Sequence, residues 1–179
     1  MSGPEQIKNL RKSINYLLQH SGLITSLVKV AQREGHHLYL VGGFIRDILL
    51  NRSSKDVDFV ARRASELAKS LAAETGTRLA FIDQKFGTIR LIPPAGVNKL
   101  SDFYQVDLSP LRGSSIAADL NQRDFTVNAL AVELSAWHTD GTFDLLDPLG
   151  GLSHLRAGRL QLCSPRSLED DPLRILRAY

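Results

Sequence analysis

The chain has 179 residues, 43% of them hydrophobic and 23% charged, the usage of an ordinary globular protein and not of a disordered or fibrous one. That length holds one domain, or one and a fragment. Twenty-two lysines and arginines against 19 aspartates and glutamates leave a net charge of +3, compatible with a polyanionic partner without demanding one.

Residues 5–20 carry Ile7, Leu10, Ile14, Leu17 and Leu18 at helical spacing, with Lys8, Arg11 and Lys12 on the wet side. Ser21-Gly22 breaks the pattern, and a second helix is expected over 23–34, stopped by Gly35. Residues 37–41 read as a strand that meets Gly42-Gly43 and then a short apolar helix. Residues 56–61 alternate, with Val57 and Phe59 on one face and Asp56 and Asp58 on the other. A helix over 64–74 ends at Gly76, and strands follow over 78–82 and 88–92. Pro93, Pro94, Gly96 and Asn98 mark a loop before a strand over 102–108. The polar, glycine-bearing segment 111–115 is expected to be mobile.

Residues 119–134 begin helical and end extended, 144–151 hold a turn, and 152–158 form a short helix. Residues 167–179 read as one last helix, capped by Ser167, with acids in its first turn and Arg174 and Arg177 later, as the helix dipole favours. The pattern stops without a terminator, so the chain is expected to be the N-terminal part of something longer. The single cysteine, Cys163, excludes an intrachain disulfide and a cysteine zinc cluster. The most apolar stretch, 38–50, contains Arg46 and Asp47 and is too short to cross a bilayer. With no secretory leader expected, the address is the cytoplasm.

Four stretches carry chemistry. Asp56-Val57-Asp58 puts two carboxylates on one strand face, where they repel unless a divalent cation joins them. Asp107 lies on a later strand that would deliver a third carboxylate, the donor set of two-metal phosphoryl transfer. Alone, the short and common Asp-x-Asp is more often a solvated strand face. Gly42-Gly43-Phe44-Ile45-Arg46-Asp47 sits at a strand–helix junction, where glycines let main-chain N–H groups and Arg46 approach phosphate. The same residues also fit a tight turn with Arg46 paired to Asp47. Arg123 to Asn128, preceded by Asp119-Leu120, mixes Arg, acid, hydroxyl and amide, but helix capping would explain it too. Asp171, Arg174 and Arg177 are spaced by three and line one helical face, as surface ion pairs also do.

In this order the segments LYLVGGFIRDILL, KDVDFV, FGTIRLI, DLNQRDFTVNALAVEL, LLDPLGGLSHLRAGRL and LEDDPLRILRAY resemble the N-terminal region of class II tRNA nucleotidyltransferases and bacterial poly(A) polymerases. The resemblance covers residues 38–179. It implies an α+β, polymerase-beta-like nucleotidyltransferase head, a mixed curved sheet flanked by helices, followed by an α-helical neck. The division would be N-terminal helices over 1–36, head over 37–158 and the start of the neck over 159–179.

By resemblance, Asp56 and Asp58 hold Mg²⁺, Asp107 is the candidate third catalytic carboxylate, and Arg90 lines the cleft. Gly42, Gly43, Arg46 and Arg123 approach the nucleotide phosphates, and Asp171 and Arg174 read the base with support from Arg177. Cytosine and adenine share an exocyclic amine that a carboxylate accepts, beside a ring nitrogen that an arginine satisfies. Guanine and uracil oppose a carbonyl to that carboxylate, a clash worth about 1–3 kcal/mol per lost pair.

The implied reaction is attack of an RNA 3′-hydroxyl, on tRNA or another RNA, at the α-phosphate of CTP or ATP, releasing pyrophosphate. Three features depart from the family: His154 in place of an acid, Asn121-Gln122 before Arg123, and Asp170 for a glutamate. A poly(A) polymerase is the alternative, disfavoured because Ala61-Arg62-Arg63-Ala64 lacks the basic, aromatic run those enzymes carry after the Asp-x-Asp strand. A catalytically silent nucleotide- or RNA-binding module is the alternative of another class, and intact Asp56 and Asp58 argue against it. A purely structural domain would need several ordered coincidences.

Overall fold

Two amphipathic helices, α1 (Gly3–His20) and α2 (Gly22–Arg33), meet at Ser21, whose hydroxyl accepts the Ile24 N–H at 3.3 Å and caps the second. Their apolar stripes, Leu10, Ile14 and Leu17 on α1 and Ile24, Leu27 and Ala31 on α2, are fully buried. The structure, a computed structural model, describes residues 3–83, 86–94, 105–135 and 143–178.

Seven strands form one mixed sheet in the order β3-β4-β5-β2-β1-β6-β7. They are β1 (Leu38–Val41), β2 (Asp56–Ala61), β3 (Arg78–Asp83), β4 (Thr88–Ile92), β5 (Gln105–Pro110), β6 (Ala131–Glu133) and β7 (Leu145–Leu146). Only β2 and β5 run parallel among these pairings. A parallel pair needs a long crossover, supplied here by α4 (Ala64–Thr75), β3 and β4.

Alternation gives the sheet two unlike faces. Leu38, Leu40, Val57, Phe59, Ile89, Leu91, Val106, Leu108 and Val132 face the main core, shared with α1, α2, α3 (Gly43–Leu49) and α4. α1 packs on α3, and α2 packs on α4. On the other face Val41, Val60 and Ala131 meet Leu120 of α5 (Ile116–Asn121) and Ala129 in a smaller cluster. That cluster covers one end of the face and leaves the carboxylates of β2 open. The mixed sheet flanked by helices is thus the architecture the sequence implies.

The segment 119–134 begins helical and ends extended, as expected: α5 ends at Asn121, a 3₁₀ turn occupies Thr126–Asn128, and β6 follows. The final stretch differs from expectation. The last helix is broken. After α6 (Gly151–Arg156), α7 spans only Ser167–Asp170, Asp171 is extended (φ −153°, ψ 96°), and Pro172–Ala178 winds as 3₁₀ helix. Proline lacks an N–H and drives the residue before it out of the helical region, so the chain bends there. The expected loop over 93–98 lies outside the described residues from residue 95, as does the expected strand start at Asp102.

Candidate functional site

Strand register sets Arg90, Asp107, Asp58 and Val41 side by side across β4, β5, β2 and β1. Asp56 lies two residues before Asp58 on the same face, and both are exposed. Asp107 is engaged otherwise: Arg90 donates Nε to one oxygen at 2.8 Å and Nη2 to the other at 2.9 Å. Cross-strand register made this bidentate clamp, which sequence spacing does not reveal. The tip of Asp58 reaches solvent, but the walls around it crowd water out. That desolvation, with like charge from Asp107 and Asp56, pushes its carboxyl above the ordinary value, against Arg123 and Arg90.

Gly42 lets the neighbouring elements close over Asp58. Its φ of +80° suits glycine, and a Cβ there would stand 3.3 Å from Arg123 Nη1 and 3.7 Å from Asp58 Oδ2. From α3, Arg46 donates Nε to Asp47 at 2.8 Å and Nη1 to Asn128 at 2.6 Å. Asn128 passes the connection on, donating to Asp124 at 3.1 Å. Asp124 also accepts the Phe125 N–H at 2.7 Å and faces Arg177 at 3.3 Å. Burial raises the Asp124 carboxyl, but those donors and the Arg177 charge outweigh it and hold the group below the ordinary range. Arg123 donates Nε and Nη2 to Asp119, which is 1% exposed and whose other oxygen accepts the Arg112 main-chain N–H at 2.9 Å. The 111–115 segment, expected to be mobile, is tied there and at Leu111, whose N–H reaches Ala61 O at 3.0 Å.

The break at Pro172 turns the last segment back onto this network. Ser167 is not the expected helix cap: it is the first residue of α7, and its hydroxyl donates to Arg123 O at 3.2 Å. Arg174, 7% exposed, donates to the carbonyls of Gln122, Arg123 and Ser167. That uses three of the five guanidinium donors. Asp171 keeps a partly exposed carboxylate, with Arg174 Nε and Arg177 Nη2 each 3.9 Å away.

The result is a cleft of about 310 Å³, walled by Gly42, Gly43, Arg46, Asp58, Arg123, Arg174 and Arg177 among others. Asp56 and Asp107 sit beside it on the sheet, and Asp171 at its edge. The sequence places Asp119, Asp124 and Asn128 in one mixed polar run without fixing their partners, and it gives no sign of Arg112, which also lines the cleft.

Cys163 offers no nucleophile, since burial pushes its thiol up to about 12. Among the described residues no three carboxylates, histidines or cysteines converge closely enough to enclose a metal. Two carboxylates on an open strand face do fit Mg²⁺, which keeps several waters and is commonly held by one or two carboxylates plus substrate phosphates. The penalty on the Asp58 charge is one that a cation relieves.

The poly A polymerase head-domain family matches residues 38–161. The CC-adding tRNA nucleotidyltransferase of Geobacter sulfurreducens is 39% identical over 154 residues, 86% of this chain and 33% of that protein. The A-adding enzyme of Aquifex aeolicus is 38% identical over 151 residues, 78% of this chain and 17% of that protein. The Thermotoga maritima CCA-adding enzyme complexed with tRNA superposes with a TM-score of 0.70 at 34% identity, over 85% of this chain and 34% of that one. A tRNA-processing enzyme with CTP does so with a TM-score of 0.69 at 36% identity, over 85% of this chain and 39% of that one. The chain spans about a third of the length of the CC-adding relatives it matches. No helix among the described residues is long and apolar enough to cross a membrane. With family segment and fold agreeing, the chain belongs to the poly A polymerase head-domain family, the head of the class II tRNA nucleotidyltransferases.

Proposed function

We propose that the chain is the catalytic head of a template-independent nucleotidyltransferase that adds C, A or both to the 3′ end of tRNA from CTP and ATP, in the cytoplasm. The observation that carries this reading is a single cleft whose wall holds Asp58, the Gly42-Gly43 turn and Arg174 from the far end of the chain. Nucleotide addition needs those three things together: carboxylates at the reacting phosphorus, a close main-chain approach to phosphates, and a polar wall for a base.

In this reading Asp56 and Asp58 hold Mg²⁺. The metal supplies activation of the 3′-hydroxyl and neutralisation of the departing pyrophosphate. Asp107, clamped by Arg90, stands beside them and orients the row. Gly42, Gly43, Arg46 and Arg123 steady the triphosphate. Asp171 accepts the exocyclic amine of C or A, while Arg174, anchored on three carbonyls, keeps two donors for the ring nitrogen. Arg177 pairs with Asp124 and limits the swing of Asp171. Discrimination then comes from a fixed hydrogen-bond pattern on the protein, without a template.

The test is addition to tRNA transcripts ending before CCA, before the final A, or in mature CCA, with CTP and ATP supplied separately and together with Mg²⁺. Stepwise addition that halts is expected, and Asp58→Ala should abolish it while the protein stays folded. Long A tails on any RNA would make the protein a poly(A) polymerase. Bound nucleotide with no incorporation would make it a silent binding module. Transfer that persists in Asp58→Ala would remove that carboxylate from the metal site.

A further inference from the structure

Five arginines line the cleft against three aspartates, so its lining is net positive. Four of the five are anchored by polar partners: Arg46 by Asp47 and Asn128, Arg123 by Asp119, Arg174 by main-chain carbonyls, and Arg177 by Asp124. Arg112 differs. Its guanidinium makes no hydrogen bond or ion pair to a described residue, and its central carbon lies 4.4 Å from the centroid of the Phe86 ring.

Stacking on a ring occupies the face of a guanidinium and leaves its in-plane N–H edge open. Such an edge matches two oxygens of one phosphate. The position of Arg112 is also fixed. Asp119 takes its main-chain N–H on one oxygen and the Arg123 side chain on the other, so one buried carboxylate ties the Arg112 backbone to the Arg123 guanidinium. Burial disfavours the Arg112 charge, Asp119 and Asp83 favour it, and Arg123 and Arg174 act against it as like charges; a bound polyanion adds to the favourable side.

We infer that Arg112 forks a phosphate of the nucleoside triphosphate, with Phe86 as the plate that holds the guanidinium flat. The inference rests on the nucleotide reading above and adds to it a residue held ready for the ligand.

Calorimetric titration of CTP and of cytidine into the wild-type chain, Arg112→Gln and Arg112→Lys tests it. Arg112→Gln should weaken CTP binding about 10- to 100-fold and leave cytidine unchanged. Arg112→Lys keeps the charge but loses the fork, so it should fall between, and it reports on the fork even if removing the charge disturbs the fold. Equal CTP affinity in wild type and Arg112→Gln would overturn the assignment and leave the nucleotide reading standing. Equal losses for CTP and cytidine would place the effect on the base or the fold, also overturning it. Unchanged CTP binding with weakened binding of an RNA hairpin would move the fork to an RNA phosphodiester, against the assignment. A wild-type chain that binds no CTP would overturn both readings.

Discussion

Asp124 is the residue on which the arginine network turns. It is 7% exposed, accepts from Phe125 and Asn128, and faces Arg177. Arg177 is 61% exposed, so solvent screens their ion pair and most of the anchoring comes from the two hydrogen bonds. The folded carboxyl titrates below the ordinary 3.8 of the unfolded chain. Its stabilisation is therefore complete above that value and is lost as pH falls through the lowered one. Asp124→Asn keeps an acceptor but not the charge. It should cost about 1–2 kcal/mol at neutral pH. In denaturant titrations run across pH, the gap to wild type should close as pH drops below the ordinary carboxylate value. A gap that stays constant would show that shape, not charge, is what Asp124 contributes.

At the scale of elements, the break between α7 and the closing 3₁₀ segment decides where Arg174 points. Residues spaced by three line one face of a 3₁₀ helix even better than of an α-helix, so the Asp171, Arg174 and Arg177 spacing was legible while the winding was not. The proline that breaks the helix stood in the sequence, yet the acid-first, base-last charge order argued for one continuous helix. Likewise the alternation in β2 revealed which side Asp56 and Asp58 share, but only register across β4, β5 and β2 brings Arg90 onto Asp107. Arg112 sat in a stretch that reads as mobile, because its fixed point, Asp119, comes seven residues later through a fold of the chain. Pro172→Ala restores an N–H and frees Asp171 to turn helical. The helical signal in circular dichroism should rise by about one turn, and selectivity for C and A over G and U should fall as Arg174 swings off its carbonyls. If both stay at wild-type values, the Arg174 hydrogen bonds impose the bend and the proline only tolerates it.

For the whole molecule, the site is assembled from residues far apart in sequence, so its geometry is only as firm as the core beneath the sheet. The family segment begins at residue 38, but the core does not. Leu10, Ile14 and Leu17 of α1 and Ile24, Leu27 and Ala31 of α2 belong to the same cluster as Leu40, Ile45, Phe59 and Leu108. The strands that bring Phe59 and Leu108 to that core, β2 and β5, carry Asp58 and Asp107 on their opposite face, so helices that touch no proposed substrate still hold the row in place. Leu27 is fully buried, and Leu27→Ala should destabilise the fold by about 2–5 kcal/mol. Because one core serves both, near-UV and far-UV signals should lose structure in a single coincident transition. Removing residues 1–34 should go further, leaving a chain that binds a hydrophobic dye and melts without cooperativity. Sharp, cooperative melting of that shortened chain, with CTP affinity retained, would mean that the sheet closes its own core with α3 and α4. The two N-terminal helices would then be an accessory layer and not part of the support of the site.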